Sequence, residues 1–74
     1  MRQRWTIYDN PPDFPGYFVA RLYRGGEPSH RYVLGLTLGE ARAKLPQGLR
    51  WVDRAPDDDP CIVESWHSML AGEG

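Results

Sequence analysis

The chain predicts an α+β fold: an antiparallel sheet of four to five strands, ordered β-β-β-α-β-β, with a single helix packed on one face. Three observations predict it. Runs that alternate apolar and polar residues lie on both sides of one short helical pattern. Brief Pro- and Gly-rich connections join those runs, which favours antiparallel neighbours. The helical stretch is too short to hold itself in water and needs a sheet to lie on.

Residues 4–8 (Arg-Trp-Thr-Ile-Tyr) read as the first strand. Residues 9–16 carry three prolines and a glycine, which cannot pair in a ladder, so they form a loop. Residues 17–24 give the clearest strand. Phe18, Ala20 and Leu22 point one way, and Tyr17, Val19, Arg21 and Tyr23 point the other. Residues 25–29 contain Gly25, Gly26 and Pro28 and read as a turn, which makes a hairpin with a strand at 30–36. Tyr32, Leu34 and Leu36 share one face of that strand.

Thr37 and Glu40 have capping-box spacing, and Leu38, Ala41 and Leu45 fall on one helical face. Glu40 and Lys44 are placed to pair four residues apart. Pro46 ends the helix and Gly48 suits a left-handed conformation. Residues 49–54 and 61–66 read as two further strands around an acidic turn. Residues 67–74 read as a frayed tail of the single domain 1–74. The expected core is Trp5, Ile7, Phe18, Ala20, Leu22, Leu34, Leu36, Leu38, Ala41, Leu45, Val63 and either Trp51 or Trp66.

Composition narrows the class. At 74 residues the chain is one domain with a thin core. The lone Cys61 allows no internal disulfide and fits a reducing, cytoplasmic compartment. No run nears the ~20 apolar residues of a membrane span, and no apolar leader follows Trp5. Residues 1–54 carry all nine Lys/Arg against five acids, whereas residues 55–74 carry five acids and no Lys/Arg. Such a split suits a polar interaction surface, or two ends that neutralise each other.

Three constellations are candidate sites. If Phe18, Ala20, Leu22, Leu34 and Leu36 face the helix, then Tyr17, Val19, Arg21 and Tyr23 face away from it. Arg31 and Val33 would join them, as would Arg4, Thr6 and Tyr8. Tyr and Arg together suit protein docking, and they also suit nucleic acid through stacking and phosphate contact. An ordinary solvated face is the plainer alternative. A sequence pI near 6.0 counts against nucleic acid.

The second constellation is Asp57-Asp58-Asp59. It is a solvated turn, or a carboxylate cluster that imitates phosphates on a basic partner. It lacks the spaced oxygens of a cation loop.

The third is Cys61, Glu64, His67 and His30. Their spacing matches no zinc signature, and no base is placed for a nucleophile. No catalytic residue, metal or cofactor is therefore expected. The chain length also argues against a ligand cleft of ~300 Å³ or more.

Four motifs carry a resemblance: Trp5-Thr6-Ile7-Tyr8-Asp9, Gly39-Glu40-Ala41-Arg42, Leu45-Pro46-Gln47-Gly48-Leu49, and the run from Asp57 through Cys61 to Trp66. They resemble a family of small uncharacterised proteins of proteobacteria and their phages, to which no activity is attached. In size and single-helix architecture the chain is also similar to small phage-encoded anti-CRISPR proteins. That likeness implies a non-enzymatic inhibitor that blocks a surface of a CRISPR effector or other defence complex. With no membrane span in its composition, the chain is expected to be a monomer or homodimer without membrane contact. Arg4, Tyr17, Arg21, Tyr23 and Arg31 would form its docking face, and Asp57, Asp58 and Asp59 a second contact. The alternatives are a nucleic-acid-binding regulator using the same face, and a protein that self-associates through a sheet edge.

Overall fold

The computed structural model describes residues 3–53 and 59–68. It has the expected α+β architecture: a five-stranded antiparallel sheet with one short helix. The elements are β1 (Gln3–Asp9), β2 (Phe18–Arg24), β3 (Glu27–Gly35), α1 (Leu38–Ala43), β4 (Leu49–Asp53) and β5 (Ile62–Ser68). The strand order is β3-β2-β1-β5-β4, so β5 pairs with both β1 and β4. β3 and β4 are the two edges, and the chain crosses between them through α1.

The turn between β2 and β3 is tighter than expected. Gly25 and Gly26 both have positive φ, and Arg24 pairs directly with Glu27. Two such residues make the hairpin connection whose twist matches the strands. Pro28 therefore lies inside β3, where an edge strand tolerates its missing N–H. β5 also runs further than expected, and residues 69–74 of the expected tail lie outside the described residues. His67 and Ser68 continue β5 opposite Arg50 and Leu49.

The helix is shorter than its apolar pattern. Thr37 Oγ1 accepts from Glu40 N at 3.1 Å, as the cap requires. Glu40 reaches back to the Leu36 N–H rather than to that of Thr37, and Lys44 turns to the Leu34 carbonyl, so those two do not pair. Lys44 and Leu45 close on the carbonyls of Ala41 and Arg42, a tightening that ends the helix before Pro46. Gly48 adopts φ +84°, left-handed as expected.

The helix-facing core is Trp5, Ile7, Ala20 and Leu22, with Phe18, Val33, Leu38, Leu45, Leu49 and Trp66 packed around it. Ala41 is fully buried. Trp66, not Trp51, is the second core tryptophan. Leu22, Trp5, Trp66 and Trp51 form one cross-strand row over β2, β1, β5 and β4. Trp5 is 5% exposed, and among the described residues its Nε1 is the one buried side-chain donor without a partner. Burying the ring is worth about 4–6 kcal/mol, more than the ~1–3 kcal/mol an orphan donor costs.

Leu34, Leu36 and Val63 depart from the expected core. Ala20 pairs with Val33 and Phe18 with Gly35, so Val33 and Gly35 face the helix. Leu34 lies half-buried on the opposite face, and Leu36 is 63% exposed. The cause is the close approach of α1 to Gly35, where an added Cβ would lie 2.5 Å from the Ala41 amide nitrogen. Only a residue without a side chain fits there, and that fixes the phase of β3. Val63 is displaced differently. Ile7 pairs with Glu64 and Tyr8 with Ile62, so Val63 is the extra residue of a β-bulge.

Two glycines test this packing with opposite signs. Gly35→Ala is expected to lower stability in urea unfolding by about 1–3 kcal/mol through overpacking. Gly39→Ala, whose Cβ would meet nothing closer than Thr37 Oγ1 at 3.9 Å, is expected to raise it by about 0.5–1 kcal/mol through helix propensity.

Candidate functional site

The strongest polar constellation sits on the helix side of the sheet. Glu64 is 3% exposed on β5. Its Oε2 accepts from Arg42 Nε at 2.8 Å and from Trp66 Nε1 at 2.7 Å. Its Oε1 accepts from the Arg42 terminal nitrogen at 2.5 Å and from Trp51 Nε1 at 3.0 Å. Burial alone would raise the Glu64 pKa. The bonds from Arg42, Trp66 and Trp51, with the charge of Arg42, outweigh it and hold the carboxyl below its usual range. The same pairing raises Arg42 further. With four donors and a lowered pKa, this carboxylate is a clamp rather than a general acid.

The opposite face carries the Tyr/Arg set. Register places Arg4, Thr6 and Tyr8 of β1 beside Tyr23, Arg21 and Val19 of β2. Arg4 lies over the Tyr23 ring at 5.1 Å, and Arg21 over the Tyr32 ring at 5.7 Å. The Tyr8 and Tyr23 hydroxyls share a bond of 2.5 Å. Burial, then the bond and charge of Tyr23, push the Tyr8 pKa well up, so its phenol stays protonated. Thr6 and Ser65 are buried although they belong to this face, and their hydroxyls meet at 3.4 Å. These short side chains form the floor of a trough between longer neighbours.

The Pro-rich loop closes one end of the face. Asn10, at φ +55°, accepts from the Gly16 N–H through Oδ1. The Asn10 N–H donates to Tyr17 O, so the loop ends are tied. Phe14 packs on Tyr32 at 5.1 Å, and Asp13 lies 4.0 Å from Arg21. Pro11 and Val19 are buried beneath. An open depression of about 370 Å³ results, lined by residues that include Tyr8, Phe14, Arg21 and Tyr23. The loop thus supplies a concavity that chain length argued against.

Of the expected docking residues, Arg4, Arg21 and Tyr23 come together. Tyr17 precedes β2 and is 38% exposed. Arg31 does not join them. Arg21 pairs with Tyr32, which makes Tyr32 and Leu34 the β3 members of this face and puts Arg31 and Val33 on the other. Asp57 and Asp58 lie outside the described residues. Asp59 has a local role: Oδ1 accepts from the Cys61 N–H and its carbonyl from the Ile62 N–H, which starts β5. Burial, followed by Asp59 and Asp9, raises the Cys61 thiol, the opposite of nucleophile activation. Among the described residues no group of three or more His, Cys, Asp or Glu is placed to hold a metal ion. No helix among them is long and apolar enough to cross a membrane.

Arg50 and His67 were not expected here. Arg50 pairs with His67, and His67 with Arg4. The three form a basic row across β4, β5 and β1 that continues to Tyr23. Alternation in 49–54 shows two faces but gives no phase relative to β1, which β5 meets only through long-range pairing. No protein-family model, curated protein or solved structure matches the chain.

The Glu64 clamp predicts an acid-side instability. Its folded pKa lies below the unfolded value of about 4.3. The stabilisation is complete above that value and is lost as pH falls through the lower folded pKa. The fall in urea midpoint from pH 7 to pH 3 is expected to be smaller in Glu64→Gln. At pH 7 that substitution should cost about 1–3 kcal/mol, because Arg42 is partly solvated and its charge is only partly stranded.

Proposed function

We propose that the chain is a small non-enzymatic protein-binding module that docks the sheet face opposite α1 onto an acidic surface of a larger complex. The observation that carries this reading is the pair of guanidinium–ring stacks, Arg4 on Tyr23 and Arg21 on Tyr32. Stacking holds both cations in place before a partner arrives, so less side-chain freedom is lost on docking. Tyr and Arg are also the residue types that dominate binding hot spots. The likeness to small phage-encoded inhibitors names the class of target, a host defence complex such as a CRISPR effector, whose surface would be blocked rather than chemically altered.

The same stacks favour protein over nucleic acid. Arg occupies a face of the Tyr23 ring and of the Tyr32 ring, faces a nucleobase would otherwise use. The net charge of −1 adds no long-range attraction for a phosphate backbone.

Pull-down from nuclease-treated host lysate tests the reading through a charge-reversed variant. Arg4→Glu combined with Arg21→Glu is expected to weaken partner retention by about tenfold or more, about 1.4 kcal/mol. Arg31→Glu, on the other face, is expected to leave it unchanged. Equal retention by all three proteins would sink the proposal. Loss of the captured material on nuclease treatment would transfer the face to nucleic acid.

A further inference from the structure

The two edges of the sheet are not alike. β3 is closed as a pairing template. Pro28 has no N–H, the Arg31 N–H is taken by Ser29 Oγ at 3.1 Å, and the Leu34 carbonyl by Lys44 Nζ at 2.6 Å. Its register with β2 is also broken between Arg21 and Tyr23. These are the devices by which an edge strand is kept from pairing further.

β4 carries none of them. It is regular, contains no proline, and among the described residues pairs in continuous register with β5 alone. Among the described residues, none reaches a backbone group of 49–52 from the open side. Trp51 is 48% exposed and Val52 38%. Trp51 is nevertheless not loose, since its Nε1 is bonded to the buried Glu64. A rigid, half-exposed indole beside unpaired backbone is a preformed anchor for an added strand.

The chemistry of that strand follows from the two faces of β4. Arg50 ends the basic row Arg4–His67–Arg50 on the face opposite α1. Trp51 ends the tryptophan row on the helix side. A strand laid against β4 would continue both rows, with carboxylates on the first face and apolar groups on the second. We infer that β4 is the site at which a partner protein adds an extended segment of alternating acidic and apolar residues to the sheet. The inference rests on the protein-binding reading above and deepens it, since Arg50 makes the edge continuous with the docking face.

A second copy of this chain fits poorly. Two-fold antiparallel pairing that keeps the faces aligned centres on Trp51 and sets Arg50 opposite Val52. It brings the two Arg50 side chains to diagonal positions on one face, where like charges repel.

The probes are two capped heptapeptides, one alternating Glu and Val, the other Lys and Val. They are added to the full chain while backbone amide exchange is followed by NMR. The Glu–Val peptide is expected to bind and to slow exchange of β4 amides at least tenfold, and the Lys–Val peptide to do neither. Arg50→Glu, an exposed substitution, is expected to weaken the Glu–Val peptide tenfold or more and to improve the Lys–Val peptide. Equal binding of both peptides, or no new protection in β4, would overturn the inference. So would β4 protection that grows with protein concentration in the absence of peptide, since that assigns the edge to a second copy. If β4 fails while partner retention still depends on Arg4 and Arg21, the docking face stands alone. If β4 succeeds while retention ignores those residues, the edge stands and the face reading falls.

Discussion

The carboxylate of Glu64 accepts from four N–H groups on three elements: two from Arg42 of α1, one from Trp51 of β4 and one from Trp66 of its own strand. α1 is only six residues long, and its direct packing is on β3 and β2. Arg42 is its reach across the sheet to β5. The same carboxylate fixes both indoles, and so holds edge strand β4 to the sheet through side chains as well as through its ladder. A buried charge is costly unless its lone pairs are filled. Here they are filled by elements that need to be held together, which makes the burial constructive.

With Glu64 and the tryptophan row committed to the helix side, the opposite face is free to be polar. Its rings are oriented by guanidinium stacking and by the Tyr8–Tyr23 bond rather than by core packing. Its trough has a floor of small hydroxyl residues, Thr6 and Ser65, which bury themselves between longer neighbours. The Pro-rich loop closes one end through Phe14 on Tyr32. The opposite end runs out at β4. The two ends therefore differ in kind: one is walled by the chain's own loop, and the other is an edge that no described residue pairs at 49–52, with Arg50 on this face and Trp51 on the reverse.

The departures of the fold from the pattern in its sequence have physical causes at single residues. Alternation rightly groups Tyr32 with Leu34, but the expected core gives Leu34 and Leu36 to the helix face, and Leu36 lies beyond the end of β3. A period of two groups residues without saying which group is inside. Gly35 decided that, because only a residue without a side chain fits under Ala41. Arg31 changed face with that choice. Pro28 read as a turn residue because proline is rare in strands, yet it is tolerated on an edge. Glu64 invites a metal or catalytic reading because a lone acid in an apolar strand has no visible partner in sequence. Its partners lie 22, 13 and 2 residues away.

The sequence by itself determined the element order, the fold class, the helix cap at Thr37 and the central residues of each strand. Each rests on local forces: turn chemistry, capping and alternation act over a few residues. Only the tertiary structure decided that β5 lies between β1 and β4, that Val33 rather than Leu34 faces the helix, and that Arg4, His67 and Arg50 share a row. These follow from long-range pairing and from bulges that shift register by one residue. A one-residue shift exchanges the faces of a strand while leaving its composition and local pattern unchanged. The candidate site is a property of faces and edges, which is why its chemistry was legible in the residues and its membership was not.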